Sequence, residues 1–168
     1  RPHSRADLVG QEKVLNQIER YLKSGVIPSM IFWGPPGTGK TTLAQILATE
    51  VDAEFVAINA VESGAKALKE IGEAARDRRI QYQRKTLLFV DEIHRFNKAQ
   101  QDVLLPFVEK GELILIGATT ENPSYELNRA LLSRCRLIVF DRHSSQALSK
   151  ILSRTFEQKK FILNDSLD

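Results

Sequence analysis

A chain of 168 residues is long enough for one domain with a real hydrophobic core. Hydrophobic residues make up 42% and charged residues 27%, ordinary for a globular protein, and a net charge of +3 is too mild to argue nucleic-acid binding by itself. The single cysteine, Cys135, excludes a disulfide framework and makes a reducing compartment the default, no apolar run approaches the ~20 residues of a membrane span, and no signal peptide is visible.

Asp7 to Leu22 reads as a helix region, with Val14, Leu15, Ile18, Tyr21 and Leu22 at helical spacing and Gly25 as a stop. Met30 to Trp33 is a short apolar run that ends abruptly at Gly34-Pro35-Pro36-Gly37, as a buried strand followed by a turn does. Thr41 to Ala48 is apolar at helical period, Glu54 to Asn59 is a second strand, and Ala65 to Arg76 a second helix. The basic stretch that follows, Arg76, Arg78, Arg79, Arg84 and Lys85, reads as a solvated loop. Thr86 to Asp91 is the most apolar strand, and a polar turn and a helix from Asn97 to Val108 follow it. Leu113 to Thr119 is a fourth strand, Leu127 to Leu132 a short helix, and Leu137 to Phe140 a fifth strand.

Strands alternating with helices predict an α/β fold, a parallel sheet with helices on both faces and its ligand beyond the carboxyl ends of the strands. The strands stop after Phe140. Ser144 or Ser145 is placed to cap a helix carrying Leu148, Ile151, Leu152 and Phe156, so a domain boundary is expected near Asp141, with 141–168 the start of a second, helical domain. The absent initiator Met and the helical-looking end are the pattern of a fragment of a longer protein.

Gly34-Pro35-Pro36-Gly37-Thr38-Gly39-Lys40-Thr41 fits G-x-x-x-x-G-K-[ST] in full. Glycines let the backbone wrap a phosphate chain, and successive N–H groups at the start of the next helix point positive dipole at it. Lys40 is expected to reach the β/γ-phosphates, and the Thr41 hydroxyl is a hard oxygen ligand for Mg²⁺. A chance glycine-rich turn would not be flanked by a strand before it and a helix after it. The strand ending in Asp91-Glu92 delivers two acids roughly fifty residues further on. Asp91 suits Mg²⁺ through a water, and Glu92 suits polarising an attacking water. The fourth strand ends in Thr119-Thr120, where Thr120 is the choice for a polar side chain between that water and the γ-phosphate; ordinary turn chemistry is the alternative. Arg134, after the short helix, faces away from its own nucleotide. It is either an arginine finger for a neighbouring subunit or a surface arginine paired with a carboxylate.

These motifs, in this order, resemble the AAA+ ATPases, P-loop enzymes with a three-layer sandwich around a five-stranded parallel sheet and a helical lid. Three blocks are more specific. Phe32 through Thr41, Thr42, Leu43 and Ala44, then Asp91-Glu92-Ile93-His94-Arg95-Phe96-Asn97-Lys98 through Asp102, and then Gly117-Ala118-Thr119-Thr120-Glu121-Asn122-Pro123-Ser124 resemble the RarA/MgsA family, which includes the Werner-helicase-interacting ATPase of eukaryotes. The resemblance runs from about Arg1 to Phe140. It implies a DNA-stimulated ATPase, related to clamp-loader subunits, that acts at stalled or damaged replication forks. ATP and Mg²⁺ are the implied cofactors. DNA forks, ends or gaps, a homo-oligomer (typically a tetramer), single-strand DNA-binding protein and other replisome components are the implied partners. The implied place is the bacterial cytoplasm at the nucleoid, or the nucleus of a eukaryote.

On this resemblance the ATPase roles fall on Lys40, Thr41, Asp91, Glu92, Thr120 and Arg134, with Val9 and Gly10 near adenine and Thr42 among the nucleotide-binding positions. In a clamp-loader-like spiral the helix starts at Ser63, Gly64 and Lys66, and at Arg95 and Lys98, would meet DNA phosphates; solvated polar caps are the plain alternative. Two rival functions are a Holliday-junction branch-migration motor or sliding-clamp-loader subunit, and an ATP-binding scaffold that does not hydrolyse. The second and third blocks speak against the first, and an intact Lys40, Asp91 and Glu92 against the second. Trp33 is expected in the core, His94 as a hydrogen-bonding or spacer residue, and Cys135 as a small buried hydrophobe. Asn59 is either a polar strand end or a switch that holds Glu92 inactive.

Overall fold

The apolar runs and the helical stretches between them resolve into one sheet sandwiched by helices. The computed structural model describes residues 5–141, with side chains from Val14 onward, and the helical positions Ser149, Ser153 and Glu157. In chain order the elements are α1 (Arg5–Ser24), β1 (Met30–Trp33), α2 (Lys40–Glu50), β2 (Glu54–Asn59), α3 (Ala65–Tyr82) and β3 (Thr86–Asp91). A 3₁₀ turn (Ile93–Arg95), α4 (Lys98–Glu109), β4 (Ile114–Thr119), α5 (Pro123–Glu126), α6 (Arg129–Ser133) and β5 (Arg136–Val139) complete them. The five strands lie in the order β2-β3-β4-β1-β5, and every pairing is parallel.

Parallel strands need both faces covered, so their sequences run continuously apolar rather than alternating. β3 shows this directly: Leu87 and Phe89 pack with Leu43, Leu47 and Ile116 on the α1/α2 side, while Leu88 and Val90 pack with Leu68, Leu104 and Leu115 on the α3/α4 side. β1 divides in the same way, with Met30 and Phe32 on the first side and Ile31 on the second.

Three expectations about element limits need correction. The basic stretch from Arg76 is helix as far as Tyr82, not loop, and Gln83 ends it in a left-handed conformation at φ 53°. Arginine is a good helix former, and these side chains are tied down. Arg78 donates to the Thr86 hydroxyl at 2.6 Å, Arg79 to the Lys110 carbonyl at 3.0 Å, and Arg84 pairs with Glu54 at 2.9 Å. The short helix expected over Leu127 to Leu132 is α6, which starts two residues later at Arg129, and an unexpected turn of helix, α5, precedes it. Each has its own asparagine cap: Asn122 accepts from the Ser124 N–H at 3.0 Å and Asn128 from the Leu131 N–H at 2.9 Å. The fifth strand runs one residue earlier than expected, from Arg136. The expected lid helix, with Ser144, Ser145, Leu148, Ile151, Leu152 and Phe156, lies outside the described residues, as does the domain it would begin.

Leu88 is fully buried in β3, an interior strand that ends at Asp91. Leu88→Ala should lower the unfolding free energy by about 2–5 kcal/mol, the range for truncating a core leucine. Urea denaturation measures it, and a loss below about 1 kcal/mol would contradict this packing.

Candidate active site

Parallel strands end on one side, and β1, β3 and β4 end together in hydrogen-bonded register. Trp33 stands opposite Thr119, and Val90 opposite Gly117. The loop after β1, the acids after β3 and the threonines after β4 therefore surround one cavity of about 480 Å³. Its walls are residues 36–42 together with Phe89, Asp91, Glu92, Ala118, Thr119 and Thr120. Lys40, Thr41, Asp91, Glu92 and Thr120, picked from separate motifs, are thus brought to one place.

The loop keeps its shape through backbone conformations and bonds that its sequence supplies. Gly37 and Gly39 sit at φ 71° and 90°, a region open to glycine and strained for most side chains. Gly39 is also the N-cap of α2, so the loop runs straight into the helix start. The Thr38 hydroxyl donates to the Pro35 carbonyl at 2.9 Å. Lys40 is buried, and its Nζ donates to the carbonyls of Gly34 at 2.6 Å and Pro35 at 2.9 Å. Desolvation lowers the Lys40 pKa below its ordinary value, and the Asp91 carboxylate partly offsets this. Such an ammonium lacks the hydration that would compete with an anionic ligand.

Asp91 and Glu92 are both exposed. The Asp91 carboxylate accepts from the Glu92 backbone N–H at 3.0 Å. Glu92 has φ 53° and ψ 43°, a conformation a non-glycine residue rarely adopts and one often found at functional sites. The 3₁₀ turn follows at once, with Ile93 packed against Gly117 of β4. A Cβ at Gly117 would overlap the Ile93 side chain, meeting its Cγ2 at 2.9 Å. The glycine therefore sets how closely the Glu92 turn lies on the sheet. Gly117→Ala should cost about 1–3 kcal/mol, the range for overpacking a core. Chemical denaturation reads it, and unchanged stability would show that Ile93 gives way freely.

Other singled-out residues lie elsewhere. Arg134 ends α6, is half-exposed, and pairs with Glu109 at the end of α4 at 3.3 Å; it does not line the cavity of its own chain. Val9 and Gly10 fall within α1, in the part without described side chains. Gly64 is the N-cap of α3, and Lys66, Arg95 and Lys98 are exposed. The Ser63 carbonyl accepts from the buried Gln100 amide at 2.6 Å, tying the start of α3 to the first turn of α4. None of these five lines the cavity.

The Asn59 side chain accepts from the Val61 N–H at 2.9 Å, which is turn chemistry at a strand end. Trp33 is half-buried at the end of β1 rather than in the core, and the fully buried aromatic there is Phe32. His94 makes the hydrogen bond expected of it, to Thr119. Burial pushes the Cys135 thiol up to about 12, so it stays protonated at neutral pH.

Sequence reasoning passed over Gln100 and Gln101. Gln100 completes a capping box with Asn97, a spacing that the Asn97-x-x-Gln100 pattern carries in the sequence. Gln101, also buried, donates to the carbonyls of Phe96 and Glu126 and accepts from the Asn128 N–H at 2.8 Å. No local pattern marks that bridge.

Residues 30–142 match the AAA family, the ATPase family associated with various cellular activities. The chain belongs to the AAA ATPases. Replication-associated recombination protein A of Haemophilus influenzae is 48% identical over 95% of this chain, which covers 36% of that protein. The same-named protein of Escherichia coli K12 is also 48% identical over 95%. ATPase WRNIP1 of Dictyostelium discoideum is 47% identical over 99% of the chain, which covers 19% of it. The RarA/MgsA resemblance read from the blocks is therefore sustained across nearly the whole chain, while the chain spans a fifth to a little over a third of these relatives. Among solved structures, the AAA fold here is similar to the Thermotoga maritima RuvB Holliday junction branch migration motor. That similarity has a TM-score of 0.64 and 29% identity, over 95% of this chain and 55% of that one.

Proposed function

We propose that this domain binds MgATP in the cavity above β1, β3 and β4 and hydrolyses it, as the motor of a DNA-stimulated enzyme acting at stalled or damaged replication forks. The observation that carries the reading is the convergence on one cavity of a desolvated Lys40 with Asp91, Glu92 and Thr120. An anionic phosphate chain suits the loop amides and the α2 N-terminus, and Lys40 Nζ can exchange its loop carbonyls for phosphate oxygens. The Thr41 hydroxyl and the Asp91 carboxylate, both on the cavity wall, are the hard oxygen donors that Mg²⁺ prefers. When bound, Mg²⁺ neutralises charge developing on the phosphates. Glu92 accepts the proton of the attacking water, and Thr120 holds that water against the γ-phosphate. Val9, Gly10 and Thr42 complete the nucleotide site.

Arg134 acts on the nucleotide of a neighbouring subunit, so hydrolysis depends on a homo-oligomer, a tetramer by the family resemblance. Its exposure and its place outside the lining of its own cavity support this, and the guanidinium pairs with Glu109 meanwhile. The starts of α3 and α4 form the DNA face, where Ser63, Gly64, Lys66, Arg95 and Lys98 meet phosphates rather than bases. Single-strand DNA-binding protein and replisome components are the further partners, and the bacterial nucleoid or a eukaryotic nucleus the place of action.

The likeness to RuvB favours a second reading, a Holliday-junction motor. The higher identity to the recombination protein A relatives supports the first. Turnover across fork, gap, end and duplex DNA tests the choice, and stimulation confined to four-way junctions would overturn it.

Two substitutions test the chemistry. Glu92→Gln should still bind ATP but lose about 10²–10⁴-fold in turnover; brisk phosphate release would refute its role as base. Arg134→Ala should lose about 10³–10⁵-fold in DNA-stimulated turnover at unchanged nucleotide affinity. Mixing it with Glu92→Gln protein should restore activity where an intact finger meets an intact base. Normal turnover by Arg134→Ala alone would remove the trans role.

A further inference from the structure

Thr119 is 2% exposed, and its polar atoms are all engaged. Its carbonyl accepts from the Gly34 N–H at 3.0 Å, at the first residue of the phosphate loop. Its hydroxyl lies 2.9 Å from His94 Nδ1, in the turn that follows Glu92. The same hydroxyl donates to the Glu121 carbonyl at 3.1 Å and accepts from the Glu121 N–H at 3.0 Å, closing a ring around Thr120. One buried side chain thus touches the turn that carries the candidate base and encloses the residue chosen to hold the water. Its backbone meanwhile holds the phosphate loop.

A threonine hydroxyl has one hydrogen and two lone pairs. The hydrogen goes to the Glu121 carbonyl, and the Glu121 N–H takes one lone pair. The remaining lone pair faces His94 Nδ1, an arrangement that calls for an N–H on that nitrogen. The arrangement is saturated, with nothing spare for substrate or water. We propose that Thr119 is a positioning residue for ATP hydrolysis, pinning the Glu92 turn through His94 and the Thr120 backbone through Glu121. This rests on the ATP-hydrolysing reading of the same cavity.

Both pinned segments need a pin. Glu92 sits in a left-handed conformation, held within its own segment only by the Asp91 carboxylate and the short 3₁₀ turn it caps, and the peptide around Thr120 lies just past the end of β4. A buried pin fixes their separation independently of what occupies the cavity. Small misplacements of reacting groups are expensive in rate and cheap in ground-state binding.

The test uses the full-length protein with saturating DNA. Thr119→Val keeps the side-chain shape and removes the hydroxyl. It should lower kcat by about 10- to 100-fold while the KM for ATP stays near the wild-type value. Thr119→Ser restores the hydroxyl and should recover most of kcat. His94→Leu should repeat the loss, and His94→Asn, which retains an N–H donor near the Nδ1 position, should relieve it. In the wild type, long-range ¹H–¹⁵N spectra, with the His94 signals assigned by their loss in His94→Asn, should show the proton on Nδ1. A Thr119→Val protein with wild-type kcat would overturn the proposal, as would a kcat loss that Thr119→Ser does not relieve, or a proton on Nε2. Wild-type protein that turned over no ATP on any DNA would instead overturn the functional reading, and this proposal with it.

Discussion

The structure depends on the parallel register of β1, β3 and β4. A parallel sheet sends all its carboxyl ends to one side, and hydrogen bonding between neighbours decides how level those ends are. Here the level is tight. Trp33 stands opposite Thr119, and the Gly34 N–H extends that ladder by one more bond, to the Thr119 carbonyl. The phosphate loop therefore begins where β4 stops. β3 stops beside it, one residue beyond the Val90–Gly117 pair. A register slip between any two of these strands would carry a loop, an acid pair or a threonine pair out of the cavity.

Electrostatics then follow from placement. The sheet's end is low in solvent around Lys40, which is why the ammonium binds its proton less tightly than usual and leans on two loop carbonyls. Asp91 and Glu92 lie just beyond the buried part of β3 and are exposed, so they can reach water. A buried cation and solvated carboxylates thus line the same cavity. Around this site, Gly117 sets the depth of the Glu92 turn, and α4 runs from that turn to Glu109, the partner of Arg134.

Most of this was legible in the residues. Strand interiors were readable because burial on both faces leaves unbroken apolar runs, and strand ends because glycine, acids or threonine interrupt them. The cavity followed from the parallel topology without any side-chain geometry. The end of α3 was not readable, because the arginines there have no apolar period and their helicity is fixed by bonds to Thr86 and Lys110. α5 was not readable from apolar period, because its four residues Pro123–Glu126 are too few to show one, although Asn122 before Pro123 is a cap signal. The roles of Thr119 and Gln101 were out of reach for another reason. The partners that give them a bridging role, His94 for Thr119 and Glu126 and Asn128 for Gln101, lie 25 or more positions away and meet them only once the sheet and α4 have packed. In the Thr119-Thr120 pair, sequence favoured Thr120 for the water, and nothing local announced that its neighbour binds the surrounding turns together.

The central claim is that a nucleoside triphosphate is gripped between the Gly34–Thr41 loop and the ends of β3 and β4. Calorimetric titration of the folded protein with ATP in magnesium buffer tests it most directly. One saturable site per chain is expected, with its heat abolished by Lys40→Ala in a protein whose circular dichroism is unchanged. Absence of any binding heat across temperatures in well-folded wild-type protein, or undiminished affinity in Lys40→Ala, would contradict the account.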